Sequence, residues 1–352
     1  MGAIRRPTMA DVAEKAGVSL STVSLTFSGA GPISDETKLR VEKAAADLGY
    51  GGPSPLGKSL RSGRSHIVGV VLAHNLGRAF RDPNALRVMD GVVSSLGDMG
   101  LGVLLVPAPT GKEGERSLLE TAPMDAAILM RVRGHDDPGI EIAKKRGIPV
   151  AVMEGPAPSG SGLVTIDDER ATVDLIAHLR GLGHERIATV TLPLGDDAET
   201  QVVGPERFRA AVWAPAHNRL AAFGAAGIEP CVVVEARASM VEEGIAAGHL
   251  ALSHPSKPTA IVCQSDLLAA GVVLAARELD IGVPQDVSIT GFDGIDVPWL
   301  APHELTTVIQ DAPRMGQLLA AEVRTLLDGE TPEPIQLPVV LRIGTTTARA
   351  RA

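Results

Sequence analysis

From His66 onward the chain alternates short, nearly continuous apolar runs with longer stretches whose apolar residues recur at helical spacing. The runs are Ile67–Leu72, Gly102–Val106, Ala126–Met130, Pro149–Met153, Ile187–Leu192, Cys231–Glu235, Ala260–Cys263 and Val287–Gly291. Strands apolar on both faces need helices over both, so the alternation predicts parallel sheet covered on each side. Helices are predicted near Asn84–Met99, Asp168–Leu182, Ala216–Ala226, Ser239–Leu252, Asp266–Leu279 and Pro313–Asp328. Gly195–Pro215 follows neither period and reads as a loop with a short helix. At 352 residues the chain exceeds one ordinary core and predicts two or three folding units. Aromatics are only 2% of it, so Ala, Val, Leu and Ile must fill those cores.

The first fifty residues follow a different pattern. Thr8 with Asp11 three places on reads as a capping box opening a helix to about Ala16, and Gly17 stops it. Ser19 caps a second helix, Leu20 to about Phe27. Ser34 caps a third, with Val41, Ala44, Ala45 and Leu48 on one face and Gly49 just past its end. A helix-turn-helix needs a small residue at the crossing, glycine in the turn and an apolar anchor in the second helix; Ala13, Gly17 and Val23 supply them. Spacing alone leaves a helical bundle that binds nothing as an equal reading. Residues 1–66 carry a net charge of +3 in a chain whose total is −9, which leaves −12 for the body. A basic end on an acidic body directs one piece toward phosphate.

The run TMADVAEKAGVSLSTVSLTFSG…ISDETKLRVEKAAADLGY resembles, almost position for position, the headpiece of the lactose-repressor (LacI/GalR) family. The resemblance implies that the second helix lies in the major groove, with Leu20, Ser21 and Leu25 at the base-reading positions. Family members commonly carry arginine where this chain has Leu25; leucine can touch a thymine methyl but cannot grip guanine. Thr8, Ser19, Thr22, Ser24 and Ser28 complete the expected DNA contacts of the headpiece, with hydroxyls or the Ser19 amide toward phosphates.

Gly52-Pro-Ser-Pro-Leu-Gly57-Lys58-Ser59 satisfies the phosphate-loop pattern, yet a helix rather than a strand precedes it, and Pro53 and Pro55 remove two amides. The family resemblance makes the segment an interdomain hinge, with Leu56 wedged into the minor groove and Lys58 beside the DNA. Pro55 and Gly57 flank that leucine and weaken a hinge helix.

The body resembles the family's sensor, whose fold is like a periplasmic sugar-binding protein, in GIPVAVME, VTIDDERATVDLIAHLRGLGHERIATV, NRLAAF, QSDLLAAGVVLAARELDIGVPQDVSITGFDG and APHELTTVIQ. This implies an all-α headpiece at 1–50, a hinge at 51–65 and an α/β two-lobed sensor at 66–345. Lobe 1 is placed at about 66–162 and 292–325, and lobe 2 at about 163–291 and 326–345. Effector contacts carried over by position are Arg219, Ser265, Asp293 and Gln310, with His74 and Asn75 as further candidates in the first sensor loop. That loop lacks the Asn-Pro-Phe-Phe run many sugar-responsive members carry, so pentose, hexose, nucleoside or phosphorylated ligands all stay open. Asp266 reads as a helix cap and Asp167 and Asp168 as capping or interlobe groups. Trp213, Trp299 and Phe80 are scarce aromatics near cleft loops, for stacking on a sugar or for core packing.

Catalysis has no signature here: no H-E-x-x-H, C-x-x-C or G-x-S-x-G occurs, and Asp136-Asp137 and Asp196-Asp197 read as solvated turns. No metal and no cofactor is expected. Cys231 and Cys263 read as core thiols, and no apolar run reaches the length of a membrane helix, which together suit a cytoplasmic, nucleoid-associated protein. The expected partners are double-stranded operator DNA, a small-molecule effector (a sugar or sugar derivative) and a second copy, as a homodimer or tetramer. A solute-binding transport protein or a nucleotide-using enzyme are the alternatives; the first accounts only for the body and the second only for the glycine-rich loop.

Overall fold

The computed structural model describes residues 7–29, 31–52, 63–72, 76–110, 114, 116–134 and 136–351. Two compact units divide at His66.

Among the described residues the first unit holds three helices, α1 (Met9–Ala16), α2 (Leu20–Ser28) and α3 (Asp35–Leu48). Each is opened by the hydroxyl the sequence marks: Thr8, Ser19 and Ser34 accept the amides of Asp11, Thr22 and Thr37. Gly17, Gly29 and Gly49 close them at φ of 65°, 66° and 66°, where a Cβ would be strained. Val12, Ala13, Val23, Val41, Ala44 and Ala45 form the core, ringed by Met9, Val18, Phe27, Leu48 and Tyr50. Phe27 meets Tyr50 edge to face at 5.5 Å.

The second unit contains two sheets. One has the order β12-β5-β4-β3-β1-β2, from β1 (Ile67–Leu72), β2 (Gly102–Pro107), β3 (Ala126–Leu129), β4 (Val150–Met153), β5 (Gly162–Ile166) and β12 (Ile335–Leu337), all parallel. The other has the order β13-β11-β10-β9-β6-β8-β7. Its members are β6 (Ile187–Thr191), β7 (Gln201–Val202), β8 (Val233–Glu235), β9 (Ala260–Cys263), β10 (Ser288–Asp293), β11 (Thr306–Ile309) and β13 (Val340–Arg342). Only β7 and β13 run antiparallel in it.

The helices of the body are α4 (Leu76–Ala79), α5 (Pro83–Asp98), α6 (Leu118–Thr121), α7 (Pro138–Arg146), α8 (Asp168–Gly181), α9 (Pro205–Arg209), α10 (Ala214–Ala225), α11 (Val241–Leu252), α12 (Asp266–Glu278) and α13 (Ala312–Leu327). Cys231 and Cys263 are free thiols inside the second sheet's lobe, and burial pushes the Cys263 thiol far up. Among the described residues no helix is long and apolar enough to cross a membrane.

The expected lobe boundaries need correction at both returns. The resemblance places residues 292–325 in lobe 1, yet β11 pairs with β10 in the second sheet, Thr290 beside Thr306. It places residues 326–345 in lobe 2, yet β12 pairs with β5 in the first, Ile335 beside Val164. The chain therefore crosses after Ile166, after Ile309 and after Leu337. These strands are three or four residues long and rich in Thr and Gln, so tertiary partners rather than an apolar run define them. The region 195–215 holds the expected short helix, α9, and in addition the two-residue strand β7.

Helix pairs cross at glycines. A Cβ on Gly316 of α13 would stand 2.0 Å from the Val88 carbonyl of α5, and one on Gly91 of α5 would stand 2.1 Å from the Pro313 carbonyl. Backbone cannot give way as a flexible side chain does, so each site must remain without a side chain. Gly316→Ala should lower stability by roughly 1–3 kcal/mol or more, read as an earlier midpoint in urea denaturation. Gly97→Ala on the same α5, where nothing lies within 4 Å, should not lower it.

Candidate functional site

Two surfaces carry the candidate residues. On the headpiece, Val23 anchors α2 inward, which turns Leu20 and Leu25 outward at 52% and 38% exposure, with Ser21 exposed beside them. The Ser19 hydroxyl takes the Thr22 amide at 3.1 Å and stands 2.7 and 2.8 Å from the Ser21 and Thr22 hydroxyls. The first turn of α2 holds no acidic residue, unlike those of α1 and α3. Its unbonded amides and positive dipole end are therefore not neutralised locally and suit a phosphate.

Thr8 is committed to its capping box, with its amide donating to Asp11 Oδ2 at 2.7 Å. Ser28 donates to the Leu25 carbonyl at 3.3 Å, and Ser24 is half-buried. Leu56 and Lys58 lie outside the described residues, as do His74 and Asn75.

In the body, parallel strands of both sheets end at one cleft of about 460 Å³. Leu72, Met130, Glu154, Leu192, Ser265, Asp293 and Gln310, each at or just beyond a strand's carboxyl end, all line it. Such ends are where open α/β sheets expose side chains that no ladder occupies.

Arg219 of α10 organises the second lobe's wall. Its Nε donates to Asp168 at 2.7 Å, one Nη donates to the Gln264 carbonyl at 2.5 Å, and Asp293 Oδ1 lies 3.9 Å away. Its guanidinium sits 3.5 Å over the Phe292 ring. Burial opposes that charge, but Asp168, Asp293 and Glu154 together hold the guanidinium more basic than usual. Gln310 donates to Asp293 at 2.6 Å, and Asp293 has φ 116°, a left-handed conformation costly for any residue with a Cβ. Burial drives the Asp293 carboxyl well above its ordinary range.

Ser265 caps α12 by accepting the Leu268 amide at 3.2 Å, and it receives a hydrogen bond from Ser239 at 2.9 Å. Arg219, Ser265, Asp293 and Gln310 thus stand together on one wall. Asp266 is not the cap of its helix: its carboxylate ties Thr307 Oγ1 at 2.6 Å and the Ile295 amide at 2.8 Å. Asp167 caps α8. Two supposedly solvated aspartates are engaged instead: Asp137 is buried as the cap of α7, and Asp196 pairs with Arg133 across the cleft.

The opposite wall, from the first lobe, escaped the sequence reading. Asp82 caps α5, Asn84 follows it, Arg131 stands just after β3 and Glu154 just after β4 at φ 48°. Burial pushes the Glu154 carboxyl up to about 8, with Asp168 adding to it and Arg219 opposing it. Trp213 is buried at the start of α10 under the Arg131 guanidinium, 3.7 Å above its ring, whereas Trp299 and Phe80 are exposed at 52% and 51%. Three buried polar atoms of the lining, Asn84 Oδ1, Glu154 Oε1 and Trp213 Nε1, find no hydrogen-bond partner. The signal available in sequence was position alone: polar residues directly after apolar strands. Among the described residues no three His, Cys, Asp or Glu side chains gather as metal ligands.

Comparison with known proteins agrees with both surfaces. The bacterial regulatory proteins of the lacI family match residues 8–52, and the periplasmic binding protein-like domain matches residues 176–347. The HTH-type transcriptional regulator Rv3575c of Mycobacterium tuberculosis is 33% identical over 361 residues, covering 99% of this chain and 97% of its own. The lac repressor dimer bound to operator and anti-inducer superposes with a TM-score of 0.78 at 24% identity, over 98% of this chain and 100% of that one. The complex of the regulator CelR with cellobiose gives 0.67 at 27% identity, over 97% and 100%. The chain belongs to the lacI family of bacterial transcription regulators, with a sequence-specific DNA-binding headpiece and a ligand-responsive sensor.

Proposed function

We propose that this regulator is a homodimeric repressor whose operator affinity is set by a sugar or sugar derivative held in the interlobe cleft. One observation carries the ligand reading. The cleft gathers acceptors and donors from strand ends of both lobes, and three of its buried polar atoms are left without partners. Burying such atoms is costly unless something supplies the missing bonds, and a polyhydroxylated ligand does so from many directions at once. Arg219 and Gln310 present donors beside the Asp293 carboxyl, and Ser265 with Ser239 adds hydroxyls that work both ways. CelR, a relative of the same fold, is known in complex with cellobiose, which supports the sugar class.

Two headpieces of one dimer would place their α2 helices on successive major-groove faces of a near-palindromic operator. The solved lac repressor dimer on its operator supports that arrangement. The reading surface of Leu20, Ser21 and Leu25 favours contact with thymine methyls over a grip on guanine. His74, Asn75, Leu56 and Lys58 belong to the proposal by their sequence positions alone.

A gel-shift titration on the chain's own promoter DNA tests the repressor reading, and a thermal-shift screen of sugars and nucleosides tests the ligand class. Leu25→Ala should weaken specific operator binding by roughly 1–2 kcal/mol while leaving non-specific DNA affinity and the melting temperature of the protein unchanged. An Asp293→Asn protein should bind the operator normally yet need at least about tenfold more effector to respond, a loss of roughly 1.4 kcal/mol.

The carboxyl at Glu154 yields a pH test. Its folded-state pKa of about 8 lies above the ordinary 4.5. The stability this implies is complete below about pH 4.5 and is lost as pH rises through about 8. Glu154→Gln, which cannot ionise, should therefore gain on the wild type by roughly 1–3 kcal/mol between about pH 5 and pH 9, measured by urea denaturation at each pH. Equal pH dependence in the two proteins would remove Glu154 from this role.

A further inference from the structure

Most charged groups lining the cleft are matched by the protein itself. Asp82 accepts the Asn84 and Ala85 amides at 2.9 and 3.4 Å, and Asp196 is paired with Arg133. Arg237 lies on Glu243 Oε1, with Nε at 3.0 Å and Nη2 at 2.8 Å. Arg219 has Asp168 and the Gln264 carbonyl, and Asp293 has Gln310.

Two groups are left over. Glu154 is one, but a carboxyl with a displaced pKa sheds its charge by keeping its proton. Arg131 is the other, and a guanidinium has no such escape at physiological pH. Among the described residues no hydrogen bond or ion pair reaches its guanidinium. Its one specific contact is the Trp213 ring at 3.7 Å. Burial depresses its pKa to about 10, with Asp196 pulling it up and Arg133 pushing it down. Beside the half-buried Arg131, the indole Nε1 of Trp213 is a buried donor without an acceptor.

Resting on the sugar-cleft reading above, we infer that the effector carries an oxyanion, a phosphate or a carboxylate, which Arg131 and the Trp213 N–H receive. A planar guanidinium fork matches both anions and gains little from a neutral hydroxyl. The stacked ring holds one face of the guanidinium and leaves its edge for the ligand. Arg131 belongs to the first lobe and Trp213 to the second, so the anion sits where both lobes touch it, while Arg219 and Asp293 remain for the hydroxyls. A cavity of about 460 Å³ is large enough for a monosaccharide with such a group.

The test uses the full chain in thermal-shift and calorimetric titrations. Glucose 6-phosphate and ribose 5-phosphate form one arm, gluconate and glucuronate a second, and neutral glucose and ribose the control. At least one anionic probe should raise the melting temperature where its neutral counterpart does not, and the responding arm identifies phosphate or carboxylate. Arg131→Gln should weaken that probe at least tenfold, with a cooperative melting transition in the absence of any probe as proof of folding. Neutral sugars binding as tightly as anionic ones, or Arg131→Gln binding the anionic probe like the wild type, would overturn the oxyanion and leave the sugar cleft standing. Silence from every probe would overturn both.

Discussion

The body of this regulator is organised around one buried cation. Arg219 draws together Asp168, which opens α8 directly after the first crossing; the Gln264 carbonyl at the end of β9; and the ring of Phe292 and the carboxylate of Asp293 at the end of β10. Three separate stretches of chain are thereby held to one point at the cleft floor. Buried ion pairs contribute little net stability over apolar packing, yet removing one member strands the other and costs several kcal/mol. Specific geometry is what such a pair maintains. Here the geometry maintained is the placement of Asp293 and Gln310 at the mouths of neighbouring strands.

Around that point the lobes are built from unremarkable parts, and close packing limits them most. Val, Ala, Leu and Ile fill the layers between sheets and helices, with Phe223 and Phe292 the largest side chains wholly inside. Small residues let the helices approach to backbone contact, as at Gly91 with Gly316 and at Gly244 with Gly271. Interfaces made this way have few intermediate states, because a backbone-to-backbone contact either fits or does not. Each lobe can then move as a unit, and motion is left to the three crossings between them.

The parts legible in the sequence were those governed by local rules. Caps at Thr8, Ser19 and Ser34, terminal glycines at 17 and 49, and the longer apolar strands all follow from a residue and its near neighbours. Short strands β11 and β12 did not, since Thr306–Ile309 and Ile335–Leu337 become strands only beside a sheet edge already formed. The wall holding Arg131 and Glu154 was hidden for a related reason. Nothing adjacent to Arg131 in the chain tells that a tryptophan so far on, Trp213, will lie beneath it, or that no carboxylate among the described residues will bond to its guanidinium. Asp266 shows the same limit in reverse: a capping position was evident, but the cap is Ser265, and the carboxylate turned instead to Thr307 and Ile295.

Contacts across the cleft suggest how a ligand acts on the whole. Arg81 with Glu242 at 2.6 Å, Arg133 with Asp196 and Arg131 over Trp213 each join a first-lobe arginine to a second-lobe partner. Exposed pairs such as Arg81–Glu242 are worth little, so they bias the lobe arrangement without locking it. The contact at Arg131 differs, because a half-buried guanidinium to which no carboxylate bonds makes the arrangement less favourable than one in which an anion is held there. A ligand shifts such an equilibrium only by the difference in its affinity for the two arrangements. Groups from both lobes meet at Arg131, so a ligand held there touches both lobes and its affinity depends on how they are set.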